Sequence, residues 1–158
     1  MVGQNSIERV RTALAAVGLA DVIVEFPAGT RTSADAAAAV GCTVAQIAKS
    51  MVFRAGDRAV VVITSGANRV DATKVADVLG VPIRRADADW VRDATGFAVG
   101  GVSPIGHLAT PLLLFDRDLL AFDQVWAAAG SPSHVFAVAP DVLARITGAV
   151  IADIKVPA

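Results

Sequence analysis

The chain of 158 residues has one cysteine, Cys42, and two histidines, His107 and His134. A lone thiol forms no internal disulfide and supplies no CxxC metal ligand pair, which fits a reducing compartment and a structural Cys42. Neither histidine has a Cys, His, Asp or Glu partner at a zinc-ligand spacing such as HxH or HExxH, so no metal site is expected. The GxxxxGK[ST] phosphate loop, the GxGxxG dinucleotide fingerprint and the GxSxG nucleophile elbow are missing as well. Although 54% of the residues are hydrophobic, charges interrupt every apolar run before the ~18 residues that a membrane span needs. The expectation is a soluble, core-rich protein with no membrane partner. With 14 basic against 15 acidic residues and a net charge of −1, a broad footprint for duplex nucleic acid is excluded, and any such contact must be small and local. Residues 1–18 carry Glu8, Arg9 and Arg11 within a helical pattern and lack the apolar centre of a signal peptide, so a cytoplasmic location is expected.

What is present is the material of one ordinary domain, residues 1–158, with no internal repeat or linker. Asn5 and Glu8 stand at capping-box spacing ahead of Val10, Leu14 and Val17, which predicts an amphipathic helix ending at Gly18. Residues 22–26 read as a short strand stopped by Pro27, and residues 28–31 as loop. Thr32 with Asp35 opens an alanine-rich helix that ends at Gly41, and Thr43 with Gln46 caps a further turn. Residues 50–54 and 59–64 form a hairpin, and Val60, Val61, Val62 and Ile63 make its second strand apolar on both faces and therefore central. Asp71 and Gly80 bracket a helix carrying Ala72, Val75, Ala76 and Leu79 inward, residues 81–84 read as a strand, and Asp87 caps a short helix through Trp90 and Val91. Strands are expected at residues 111–115, 134–138 and 150–154, and a helix at residues 140–146 with Pro140 in its first turn. Residues 122–129 fit either a helix or a strand, and the flanking turns favour a strand. Irregular alternation with hairpins points to a single α+β domain, a mixed sheet of about six to seven strands flanked by four or five helices.

Residues 96–107 hold four of the 13 glycines. Gly100 and Gly101 remove two successive Cβ atoms, so a ligand can approach their amides, while Pro104 stiffens the segment and pushes Ser103 towards extended geometry. A tight connection between two buried strands would use the same residues. Lys49 lies between a capped turn and an apolar strand rather than in a charged run. It is read either as a placed cation or as a lysine answering a helix C-terminus. His134 follows the turn Gly130-Ser131-Pro132-Ser133, at a pocket rim or simply at the start of a surface strand. No nucleophile, base and orienter stand out together.

Lys49 within Gln46-Ile47-Ala48-Lys49-Ser50-Met51-Val52-Phe53, the segment Asp71-Ala72-Thr73-Lys74-Val75-Ala76, and Gly96-Phe97-Ala98-Val99-Gly100-Gly101-Val102-Ser103-Pro104-Ile105-Gly106 resemble the YbaK-like family. These are free-standing relatives of the editing domain inserted in bacterial prolyl-tRNA synthetases, and the resemblance runs from about Ile7 to Ile154. It implies a curled mixed sheet and a trans-editing deacylase that hydrolyses the ester of mischarged Cys- or Ala-tRNA(Pro). Lys49, Gly100 and Gly101 would be catalytic by this resemblance, Lys49 holding the substrate's 3′ end and the two glycines contacting the ester. Ser103, Pro104 and Gly106 of the loop and His134 at the rim are read as substrate-binding, with Lys74 the expected phosphate contact outside the pocket. Attack would come from water, the terminal ribose hydroxyl or the substrate's own thiol. No cofactor is expected; the partners would be a mischarged tRNA acceptor end and prolyl-tRNA synthetase. The segment His107-Leu108-Ala109-Thr110 lacks the paired lysines that some relatives carry. Two alternatives stand beside this reading: a non-catalytic module that binds an acceptor end, a nucleotide or a synthetase through the same pocket, and a small-molecule esterase, for which no nucleophile is visible.

Overall fold

The computed structural model describes residues 2–19, 21–26 and 32–157. Among these the chain forms, in order, α1 (Val2–Ala16), β1 (Ile23–Glu25), α2 (Ser33–Val40), β2 (Ile47–Ala55), β3 (Arg58–Ser65), α3 (Ala72–Leu79), β4 (Arg84–Arg85), α4 (Ala88–Thr95), β5 (Leu112–Asp116), β6 (Val125–Ser131), β7 (His134–Val138), α5 (Pro140–Thr147) and β8 (Val150–Ala152). Short 3-10 turns occupy Val44–Gln46 and Arg117–Ala121. All eight strands join one mixed sheet in the order β1-β7-β6-β2-β3-β5-β8, with β4 against β2. The architecture is α+β, as expected; the strand count exceeds six to seven because β1, β4 and β8 are pieces of two or three residues.

Local chemistry explains most boundaries. Thr32 caps α2 through a reciprocal capping box with Asp35, Asp71 caps α3 through the amides of Thr73 and Lys74, and Asp87 caps α4 through that of Trp90. Several expected boundaries are displaced: β2 begins at Ile47 and not at Ser50, so Lys49 lies inside the strand, and β6 runs over Val125–Ser131 and not over residues 122–129. The first helix starts at Val2, so Asn5 lies inside it and not at its cap. Nothing in Val2-Gly3-Gln4 stops a helix, and an i,i+3 Asn–Glu spacing also fits a helix interior. The strand expected at residues 81–84 shrinks to Arg84–Arg85, since Pro82 has no amide to donate and β2 offers pairing only opposite Phe53 and Arg54. Residues 27–31, read as a stop and a loop, lie outside the described residues.

β3 is the axis of packing. It runs antiparallel to β2 and parallel to β5, and Val60, Val61, Val62 and Ile63 are all fully buried. Successive side chains point to opposite faces. Val61 and Ile63 therefore join the main core with Val10 and Leu14 of α1, Phe97, Phe115, Phe136 and Leu143, while Val60 and Val62 meet Val75 of α3, Leu114 and Ile154 on the other face. A smaller cluster of Ala36, Ala37 and Ile47, with Cys42 and Trp126, seats α2 over the start of β2. Burying one Val or Leu side chain is worth roughly 1.5–3 kcal/mol, so this central strand anchors everything placed on β2.

Candidate active site

The sheet parts beside β2. On the side away from β3, β6 pairs with β2 only at Ile47 and Ala48, and β4 only at Phe53 and Arg54. Among the described residues no strand flanks residues 49–52 there, and their outward backbone groups have no ladder partner on that side. Two adjoining cavities open over this gap, of about 340 and 550 Å³. They share Lys49, Ser50, Met51, Val99, Gly100 and Val102. The first is closed by Ala36 and Val40 of α2, by Ile47, and by Trp126, Ala128 and Val135, an apolar wall edged by the hydroxyls of Thr32 and Ser33. The second runs on to Arg69 and Arg85.

Lys49 stands at the junction of the two. Strand alternation puts it on the face of Ile47 and Met51, opposite the core side taken by Ala48. Among the described residues its ammonium makes no hydrogen bond or ion pair, and burial, then the like charge of Arg69, lowers its pKa from the ordinary lysine value. Next to it along β2, the hydroxyl of Ser50 is buried without a hydrogen-bond partner among the described residues. An unsatisfied buried polar group is costly, and here it adjoins a cavity where a ligand atom could meet it.

The glycine-rich segment divides in two. Gly96 is the left-handed C-cap of α4, φ 80°, and Phe97 is fully buried, so the segment begins as a helix stop rather than as ligand-facing loop. Val99 and Gly100 are exposed and line both cavities, and Gly100 has φ 94°, a conformation glycine adopts without strain. Gly101 is different. Its amide donates to the Ala98 carbonyl (2.9 Å), and a Cβ on it would lie 2.8 Å from Cα of Ser131. The amide expected to face the ester is therefore spent, and the absent Cβ makes room for β6 rather than for a ligand.

Ser103, Pro104 and Gly106, read as substrate-binding, form the buried back of the same segment. Ser103 is fully buried, its Oγ accepting from the Ile105 amide (3.2 Å), and Pro104 is buried beside it. Gly106 packs on the backbone of Val10, and its carbonyl accepts from Arg9 Nε (3.1 Å). Arg9 also donates to the Gly96 carbonyl (2.7 Å) and lies over the Phe97 ring, so one guanidinium from α1 clamps both ends of the segment. His107 donates from Nε2 to the Ser103 carbonyl (2.6 Å), and burial depresses its pKa to about 4. It is a neutral packing group.

His134 opens β7 opposite Glu25, with Nε2 3.1 Å from that carboxylate and Nδ1 2.6 Å from Ser131 Oγ. Ser, His and Glu in line invite comparison with a hydrolytic triad. However, neither Ser131 nor His134 lines the cavities, and Ser131 Oγ also accepts the Ser133 amide (3.1 Å), which closes the β6–β7 turn. His134 thus braces the turn whose Pro132 forms the cavity rim. Lys74, expected as a phosphate contact outside the pocket, lies away from both cavities and pairs with Asp153 (2.9 Å).

The structure thus gathers Lys49 and Gly100 and separates them from the other expected residues. Sequence reading missed Arg9, Trp126, Arg69 and Arg85. Arg85 carried a faint signal, a pair of arginines after Pro82. Arg9 and Trp126 sat in ordinary amphipathic patterns. Among the described residues no group of three His, Cys, Asp or Glu side chains comes together to hold a metal ion, and no helix is long and apolar enough to cross a membrane.

Comparison with known proteins gives this geometry a context. The family model of the aminoacyl-tRNA editing domain matches residues 27–146. The chain is 29% identical over 143 residues to the uncharacterized protein YwhH of Bacillus subtilis (strain 168), a match spanning 90% of this chain and 91% of that one. It is 28% identical over 83 residues to the proline–tRNA ligase of Thermoanaerobacter sp. (strain X514), a match spanning 51% of this chain and 15% of the ligase. A crystal structure of a protein proposed to be a trans-editing enzyme for prolyl tRNA synthetase superposes with a TM-score of 0.90 at 44% identity, over 96% of this chain and 98% of that one.

Proposed function

The chain belongs to the aminoacyl-tRNA editing domain family, and from that premise we propose that it is a trans-editing deacylase hydrolysing mischarged tRNA(Pro), with cysteine or alanine as the amino acid removed. The observation that carries this reading is Lys49: a cation with no partner among the described residues, placed where an apolar cavity meets a cationic one and beside the open turn at Gly100. Such a junction suits a substrate that is apolar at one end and polyanionic at the other.

The apolar cavity offers a small side chain surroundings of Ala36, Val40, Ile47, Trp126 and Val135, with no charged group beyond Lys49. A cationic amino acid would lose its hydration there without compensation. Lys49 supplies positive charge to a phosphate or hydroxyl of the terminal adenosine. Among the described residues the Gly100 amide has no backbone acceptor, which leaves it to donate to the oxyanion that develops on the ester carbonyl, a type of contact worth about 3–4 kcal/mol in other enzymes. The cavity lining holds hydroxyls at Thr32, Ser33 and Ser50 but no histidine or carboxylate to activate one. Attack by water, or by the ribose hydroxyl, on an already activated ester is therefore the simplest chemistry.

The test is a panel of Cys-, Ala- and Ser-charged tRNA(Pro), with Pro-tRNA(Pro) as control, followed for ester loss. Faster loss from the cysteinyl or alanyl ester than from the prolyl one is expected. A folded protein that binds the acceptor end and hydrolyses none of them would be a binding module instead.

A further inference from the structure

The second cavity is cationic in a way the first is not. Beyond the shared residues its lining includes Arg69 and Arg85, and no carboxylate side chain faces it. Several cations elsewhere are engaged, Arg11 with Glu8, Arg54 with Asp57 and the Trp90 ring, Arg92 with Asp89, Lys74 with Asp153 and Lys155 with Asp118, and of the unengaged ones among the described residues only Lys49, Arg69 and Arg85 gather at one cavity. The side chains of Lys49, Arg69 and Arg85 make no hydrogen bond or ion pair among the described residues. Three unpaired like charges around one concavity raise its potential and concentrate anions there.

Arg69 is also held in place. Its carbonyl accepts from the Val156 amide (2.8 Å), Val70 bridges Lys155, and the Asp71 amide donates to the Ile154 carbonyl (2.7 Å). On the other side of the loop the buried Asp116 carboxylate accepts from the Ser65 amide (3.0 Å) and from Asn68 Nδ2 (2.8 Å), which also reaches Asp118 (3.0 Å). The backbone is pinned from both directions, and the guanidinium alone is left without a partner. Arg85 reaches the same cavity from another element, set by its register opposite Phe53.

Building on the deacylase reading above, we propose that the second cavity is the channel for the phosphodiester backbone of the acceptor strand's 3′ end. Arg69 and Arg85 pair with its phosphates and the terminal ester is delivered past Gly100 into the apolar cavity. The guanidinium fork matches phosphate oxygens in a bidentate way that a lysine does not. Two phosphate contacts on a single strand contribute about 1.4 to the slope of log K against log salt.

The experiment compares wild type, the double variant Arg69→Gln/Arg85→Gln, and Arg145→Gln, an exposed cation on α5 that serves as a surface-charge control. Fluorescence anisotropy follows binding of a short single-stranded RNA ending in CCA across a salt series, and steady-state kinetics follow deacylation of mischarged tRNA. The double variant is expected to bind the RNA at least tenfold more weakly, with a slope shallower by about 1.4 and a raised KM, while Arg145→Gln behaves as wild type. Unchanged affinity and slope in the double variant, or an equal loss in Arg145→Gln, overturns the channel even if deacylation is normal. If RNA binding depends on the two arginines but wild type deacylates no mischarged tRNA, the channel stands and the deacylase reading falls.

Discussion

The two halves of residues 96–107 make opposite use of the same residue types. In the outer half the Gly100 amide has no backbone acceptor among the described residues, and Val99 is 62% exposed beside the cavities. In the inner half Gly101 spends its amide on Ala98 and fits against Ser131, Ser103 is sealed from solvent, and Gly106 lies on α1 under the grip of Arg9. Adjacent glycines thus face a cavity and a neighbouring strand respectively. What separates them is whether protein backbone already fills the space where a Cβ would stand.

The largest effect expected on the outer side comes from Lys49→Ala, which should lower kcat/KM for mischarged tRNA by more than about 100-fold, or about 2.7 kcal/mol of transition-state stabilisation, at an unchanged Tm. A variant with full activity and lowered Tm would place Lys49 with the structural half instead. On the inner side His107 gives the largest effect. Burial is the main cause that holds its pKa to about 4, against 6.5 for a free histidine; the Ser103 carbonyl pulls upward and Arg9 downward. The unfolded chain therefore binds the proton more readily. Stability from this group is complete above the unfolded value of 6.5 and is lost as pH falls towards 4, by up to roughly 3 kcal/mol. Denaturant midpoints should fall between neutral pH and about pH 4.5, and His107→Gln, which keeps a donor for Ser103 but does not titrate, should flatten that fall. Parallel declines in both proteins would exclude His107 as the cause.

The adjacent glycines give the sharpest contrast. Gly101→Ala forces a Cβ against β6 and should cost about 1–3 kcal/mol, read as a Tm lower by several degrees. Gly100→Ala meets nothing nearer than Pro132 Cγ at 3.8 Å, so its stability cost is the φ strain of about 1 kcal/mol, while kcat/KM should drop about tenfold. The opposite pattern, Gly101→Ala silent in melting and Gly100→Ala silent in turnover, breaks the division. Ser103→Ala should be mildest, about 0.5–1.5 kcal/mol for one hydrogen bond within a buried turn and little change in turnover. Loss of turnover at normal stability would call for a serine-dependent mechanism.

Much of the fold was legible because its signals are short in range. The caps at Thr32, Asp71 and Asp87, the stops at Gly41 and Gly80, and the hairpin of β2 and β3 each depend on a few neighbouring residues. The uniform apolar run of β3 announced burial on both faces, and Lys49 stood out as an isolated cation before such a run. The resemblance to editing domains rested on the order of these local pieces.

By itself, then, the sequence determined the element types, the central strand, the absence of familiar metal and nucleotide motifs and the isolation of Lys49, all consequences of spacing along the chain. Only the tertiary structure decided that β6 leaves β2 after Ala48, that Gly101 faces Ser131 while Gly100 faces a cavity, that Lys74 is taken by Asp153, and that Arg69 and Arg85 converge on one concavity. Each of those pairings joins separate elements. Which partner occupies a side chain or fills the space beside a glycine is set by how the strands are ordered and how α1 and α2 pack across them, a competition among long-range contacts that no local pattern encodes.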